Sequence, residues 1–226
     1  MKNDKDWTGN SKSAFSTLGA SNHSEEARAE FDYYATEPKA MELLLAEEKF
    51  SPVVWECACG EGHLSKVLIA HGYKVISTDL VYRGFGQPEP LDFLTCAPPE
   101  GFDGDIITNP PYKYGMEFVR RALEIIQPGR KVAMFLKLQF LEGKQRKELF
   151  KESPPRTVYV SSSRLHCARN GDFERYAKSN AIAYAWFVWE KDFRGGYLHQ
   201  MDQLNRIQLS GGSISGEAGH GKDRPF

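Results

Sequence analysis

The sequence predicts an α/β fold, a mostly parallel sheet with helices on both faces. Three observations predict it. Short apolar runs alternate with segments of helical period between residues 52 and 192. Two of these runs end in binding-type chemistry: a turn with Gly60 and Gly62, and the acid Asp79. A third, Asp105-Ile106-Ile107-Thr108, ends in Asn109-Pro110-Pro111-Tyr112. Neither proline can donate to a ladder, so the strand stops there.

The elements follow in order. Residues 24–50 read as helical, with Met41, Leu43, Leu44, Leu45 and Phe50 facing the core; within the segment Thr36 suits an N-cap, and Glu37 and Pro38 a first helical turn. The first strand, from Pro52, runs through Trp55 and Glu56 into Cys57-Ala58-Cys59-Gly60-Glu61-Gly62, and a helix follows with Leu64, Val67 and Leu68 at helical spacing. The second runs from Tyr73 to Asp79. A third segment ends Pro90-Leu91-Asp92-Phe93-Leu94. The Asn109 strand is the fourth, followed by a helix over residues 115–126 that Pro128-Gly129 stops. Residues 131–138, 156–161 and 181–189 are the fifth, sixth and seventh strands, the last two antiparallel neighbours. The whole is a seven-stranded, mostly parallel sheet with an antiparallel last strand.

The tetrapeptide is the most chemically pointed feature. An Asn carboxamide, a proline carbonyl and an aromatic face meet at a strand's C-terminal end. A planar –NH2 group is a poor nucleophile because its lone pair is delocalised. The Asn109 side-chain oxygen and the Pro110 carbonyl can accept its two hydrogens and push it toward a tetrahedral, nucleophilic form, and Tyr112 can stack on the ring that carries it. Gly60 and Gly62 let backbone pass close to a ligand at a helix N-terminus. Asp79 lies about twenty residues on, where a carboxylate can accept the hydroxyls of a ribose. The spacing is not the dinucleotide fingerprint G-x-G-x-x-G, because Leu64-Ser65 follow Gly62.

Four elements in this order resemble the class I S-adenosylmethionine (AdoMet)-dependent methyltransferases, whose fold is Rossmann-like. The Asn-Pro-Pro-Tyr variant resembles the DNA adenine-N6 methyltransferases, and the arrangement is similar to small orphan enzymes of phages and prophages. Tyr33-Tyr34-Ala35-Thr36-Glu37-Pro38 is similar to a family segment that precedes the core and binds the methionine end of AdoMet. The resemblance covers residues 30–192. It implies AdoMet as cofactor, held by Tyr34, Thr36, Pro38, Glu56, Cys57, Gly60, Gly62, Asp79, Asp92, Phe93 and Asn109. It implies Asn109, Pro110, Pro111 and Tyr112 as the catalytic turn, and DNA as partner, with Tyr112, Phe173, Arg169 and Arg175 toward the substrate. Tyr176 competes with Phe173 for the second aromatic. Rival readings are a methyltransferase of RNA bases or protein glutamine, a non-catalytic AdoMet-binding subunit, and a NAD-dependent oxidoreductase, the last opposed by the glycine spacing.

Composition sets the frame. At 226 residues and 41% apolar, the chain is one domain with a full core. Residues 24–194 form the methyltransferase domain, with 162–180 as a short substrate-facing insert. Residues 1–23 and 195–226, rich in Ser and Gly, read as flexible tails. No apolar run is long enough for a membrane span, no signal peptide is visible, and four cysteines suggest no disulfide framework, so a cytoplasmic protein is expected. Cys57, Cys59 and His63 fit zinc spacing badly, so no metal is expected. A net charge of −1 suits a duplex binder poorly. Bases nevertheless gather at Lys144, Arg146, Lys147 and Lys151, then at Arg156, Arg164, Arg169, Arg175 and Lys178, either as a solvated face or as the border of the substrate cleft.

Overall fold

A computed structural model describes residues 34–163, 165–169 and 182–193. Phe173 and Arg175 lie outside the described residues, as do both tails.

Among the described residues, eight strands form two sheets. The larger has six: β2 (Val53–Glu56), β3 (Lys74–Ser77), β4 (Asp105–Thr108), β5 (Lys131–Lys137), β6 (Thr157–Val160) and β8 (Tyr184–Glu190). Its order is β3-β2-β4-β5-β8-β6. The first four run parallel, and β8 is antiparallel to both β5 and β6. Residues of β4, β5 and β8 are almost all buried, as a sheet covered on both faces requires.

The helices do the covering. On one side α1 (Pro38–Glu47) and α2 (His63–Ala70) place Met41, Leu44, Leu64 and Leu68 with Val54, Ile107, Phe135 and Trp186. On the other, α3 (Gly115–Ile125) and α4 (Lys147–Glu152) place Phe118, Val119, Ala122 and Leu149 with Trp55, Ile106, Met134 and Phe187.

The second sheet is a short antiparallel ribbon of β1 (Tyr34–Thr36) and β7 (Cys167–Arg169), with Tyr34 opposite Arg169 and Thr36 opposite Cys167. Glu37 fastens it, donating its N–H to the His166 carbonyl at 3.1 Å and accepting the His166 N–H at 3.2 Å.

Four expectations need correction. Residues 34–36 are strand, not helix, and the helix begins at Pro38. Thr36 is therefore not its cap; Glu37 holds that position, with no side-chain cap bond. The segment around Pro90–Leu94 is not a strand but a turn, in which Asp92 accepts the Leu94 N–H on its carboxylate and the Cys96 N–H on its carbonyl. Among the described residues the main sheet consequently has six strands where seven were expected.

The cations at the far edge are structural. Glu48, almost fully buried, takes hydrogen bonds from Lys131 at 2.6 Å, from Tyr159 at 2.7 Å and from Arg156. Burial pushes its carboxyl up, but these donors and the Arg156 charge prevail and hold it low. Arg156 also meets Glu190 at 3.3 Å. It ties β6 to the end of α1 and does not border a cleft.

Candidate active site

Because β2, β3, β4 and β5 run parallel, their C-terminal ends share one edge of the sheet. That edge carries Glu56, Asp79, Asn109 and Lys137, and β8, running the other way, brings Tyr184 opposite Lys137. Ligands of open α/β sheets bind along such an edge.

The glycine turn is held by the neighbouring strand. Gly60 and Gly62 have φ of 54° and 78°, a left-handed backbone that glycine adopts freely. Asp79 accepts the Gly60 N–H at 2.7 Å on one carboxylate oxygen and the Val81 N–H at 2.9 Å on the other. It thereby fixes the turn, and each oxygen keeps a lone pair for a further donor. The loop after Asp79 folds back, so a Cβ on Gly62 would lie 2.3 Å from the Phe85 ring. Gly62→Ala is therefore expected to destabilise the protein by about 1–2 kcal/mol through the backbone alone, with the ring clash added. Urea unfolding checks this. Adding Phe85→Ala is expected to recover the clash but not the backbone part.

Glu56 ends β2, with only 1% of its surface exposed. It accepts a hydrogen bond from Ser65 Oγ, which also lies 2.7 Å from Ser77 Oγ. Burial, only partly offset by the Ser65 bond, raises its carboxyl to about 8, with Asp79 adding repulsion. At neutral pH it is mostly the neutral acid.

The Asn109–Tyr112 turn is gripped by the β1–β7 ribbon. Asn109 donates from Nδ2 to the Tyr34 carbonyl at 2.8 Å, with Cys167 Sγ at 4.0 Å from the same nitrogen. These contacts fix which end of the carboxamide is oxygen. Its Oδ1 is buried and accepts no hydrogen bond from any described residue. Such an acceptor costs about 1–3 kcal/mol to leave unmet. Pro110 is buried beside it, and Pro111 opens a 3-10 turn, Tyr112–Tyr114, that leads into α3. Tyr112 donates its hydroxyl to Cys167 Sγ at 3.1 Å. Its ring lies 5.8 Å from both Tyr34 and Tyr184, and the Lys137 ammonium sits 4.8 Å over it. Burial, then the nearby Cys167, pushes the phenol far above its ordinary range, and burial pushes the Cys167 thiol to about 12. Both stay neutral.

The remaining expected residues fall as follows. Tyr34 and Thr36 stand in β1 beside this turn, and Pro38 is exposed at the start of α1. Cys57 and Phe93 are core residues. The Phe93 ring, 2% exposed, packs at 5.2 Å from Trp55 and 5.0 Å from Phe118. Asp92 is exposed nearby. Arg169 pairs with Tyr34 through β7. Among the described residues no cluster of His, Cys, Asp and Glu has the makings of a metal site, and no helix is long and apolar enough to cross a membrane.

Lys137, Cys167 and Tyr184 are site residues that sequence reasoning missed. A signal existed for Lys137: it is a charged residue ending an apolar run, as Asp79 and Asn109 are polar residues ending theirs. Nothing local marks Cys167.

No protein-family model and no curated protein sequence matches the chain. Solved structures do. A Vibrio vulnificus YJ016 protein assigned as a modification subunit of a type I restriction enzyme is 12% identical with a TM-score of 0.51, over 87% of this chain and 53% of that one. A Listeria monocytogenes protein assigned as a class I S-adenosylmethionine-dependent methyltransferase is 11% identical with a TM-score of 0.46, over 75% of this chain and 61% of that one. TrmN from Thermus thermophilus is 20% identical with a TM-score of 0.41, over 68% and 48%. The chain thus spans about half to two thirds of the length of these structures. Taken with the sheet order, the likeness to the Vibrio chain shows the architecture: the protein has a Rossmann-like α/β fold, a mostly parallel sheet with helices on both faces.

Proposed function

We propose that the protein is an AdoMet-dependent methyltransferase acting on an exocyclic amino group, adenine N6 in DNA. The buried Asn109 oxygen carries the reading. It is an acceptor without a donor among the described residues, held in orientation by its own nitrogen. A planar –NH2 group supplies the missing donor. The Pro110 carbonyl is the second acceptor, and the two together draw the amine toward a nucleophilic geometry. When bound, AdoMet supplies a methyl already activated on a sulfonium, so the protein needs no strong base and its task is alignment. The Gly60–Gly62 turn with Glu56 would hold the methionine portion, and Asp79 the ribose. The likeness to a DNA-modifying subunit and the Asn-Pro-Pro-Tyr resemblance favour DNA over RNA or protein glutamine.

Nucleosides from the DNA of cells expressing the protein are expected to contain N6-methyladenine by mass spectrometry. Methyl on RNA or protein alone would overturn the substrate assignment and leave the amine chemistry standing. Asp79→Ala is expected to weaken AdoMet binding by about 1–3 kcal/mol in calorimetry, the cost of orphaned hydroxyl bonds. An unchanged affinity would remove Asp79 from the cofactor site.

A further inference from the structure

Part of the basic stretch that suggested a nucleic-acid border is engaged within the protein. Arg146 turns inward onto the Gln139 and Glu142 carbonyls and the Phe140 ring. Arg156 serves Glu48 and Glu190, and Lys151 meets Glu148 at 3.4 Å. The cation over the Tyr112 ring is a different one, Lys137.

Lys137 closes β5 beside the end of β4, half-buried. Its ammonium lies 4.8 Å over the Tyr112 ring and has no carboxylate or hydrogen-bond acceptor among the described residues. Tyr112 is bonded to Cys167, whose strand flanks the Tyr34 carbonyl that holds Asn109. The cation therefore stands on the ring that adjoins the orphan acceptor. A compact ammonium with three donors, taken partly out of water, is satisfied by an oxyanion. A ring nitrogen of the substrate is the wrong partner, because donating to it would withdraw electrons from the amine that must attack.

We propose that Lys137 is a substrate-positioning residue that binds a phosphate of the nucleotide carrying the target amine, which makes the substrate a polynucleotide rather than a protein glutamine. The proposal rests on the reading of the Asn109 turn as an amine site and adds the anion that accompanies the amine. Entry of the planar base onto Tyr112 displaces the ammonium from that ring face, and the phosphate receives it.

The test uses the full chain and a fluorescein-labelled 30-nucleotide DNA, single-stranded and duplex, followed by anisotropy from 50 to 300 mM NaCl, both roughly set by the range where phosphate contacts dominate. Lys137→Met keeps the stem on Tyr112 and removes the charge. It is expected to weaken binding roughly five- to tenfold near 100 mM and to lower the salt slope by about one, with Lys137→Arg restoring both. AdoMet affinity by calorimetry is expected to stay within about twofold of wild type. An unchanged slope overturns the proposal. So does a loss of AdoMet affinity in Lys137→Met, which would assign the ammonium to the cofactor carboxylate, and so does a wild-type protein that binds neither DNA. DNA binding with a Lys137-dependent slope but no methyl transfer would instead overturn the methyltransferase reading and leave the phosphate contact standing.

Discussion

Asn109→Ala is expected to lower labelled-methyl transfer by about two to three orders of magnitude or more, toward background, while AdoMet affinity moves less than about threefold. The asymmetry follows from where the side chain acts. Its Nδ2 is committed to the Tyr34 carbonyl at 2.8 Å, and only the buried Oδ1 is left without a partner among the described residues, for the proposed substrate amine. A preorganised polar group aimed at charge that develops in the transition state contributes on that scale in other enzymes. It leaves ground-state binding of the other ligand alone. Asn109→Asp separates orientation from mere presence. A carboxylate keeps an acceptor but sets a second oxygen against the Tyr34 carbonyl, so it is expected to fail as well. Wild-type turnover in either variant would remove Asn109 from the chemistry.

The second large effect concerns pH. Glu56 titrates near 8 in the folded protein against an ordinary 4.5, because burial disfavours its charge. The folded state thus keeps a proton that the unfolded chain releases above its own pKa. Stability contributed by the neutral acid is fully present below about pH 4.5, declines as pH rises, and is gone above about pH 8. The loss is on the order of 3–5 kcal/mol across that window. Glu56→Gln keeps an acceptor for Ser65 and has no proton to lose. Its melting temperature, measured without cofactor, is expected to fall much less than that of wild type between pH 5.5 and 8.5, both roughly chosen to bracket the transition. Parallel curves for the two proteins would show that Glu56 does not dominate the titration.

Residues at strand ends were the legible part of the site. Gly60, Gly62, Asp79 and Asn109 each terminate an apolar run, and a parallel sheet collects such ends on one edge whatever else the chain does. The class of fold followed from the same alternation. Pro90–Leu94 misled because a short apolar run has no period of its own. Phe93 is apolar for the sake of Trp55 and Phe118, not of a ladder. Thr36 looked like a cap since its type and its distance from Pro38 suit one. A tertiary partner, Cys167, instead drew it into a strand. Two three-residue strands 133 residues apart carry no local signal of each other. Sequence likewise shows that an arginine is present but not that Arg146 bonds the Gln139 carbonyl and Arg156 the buried Glu48.

The β1–β7 ribbon has a consequence for the order in which the protein comes into being. Parallel units β2 to β5 close over short spans of chain and can form as they emerge from the ribosome, N-terminal parts first. Among the described residues the strand that carries the Tyr34 carbonyl pairs with 167–169, so its closure spans more than half the chain and comes at the entropic cost of a long loop. Until then Asn109 lacks the acceptor that orients it. A growing chain can therefore lay down β2 to β5 while the Asn109 turn still lacks the ribbon that orients it, and that orientation waits for residues 167–169.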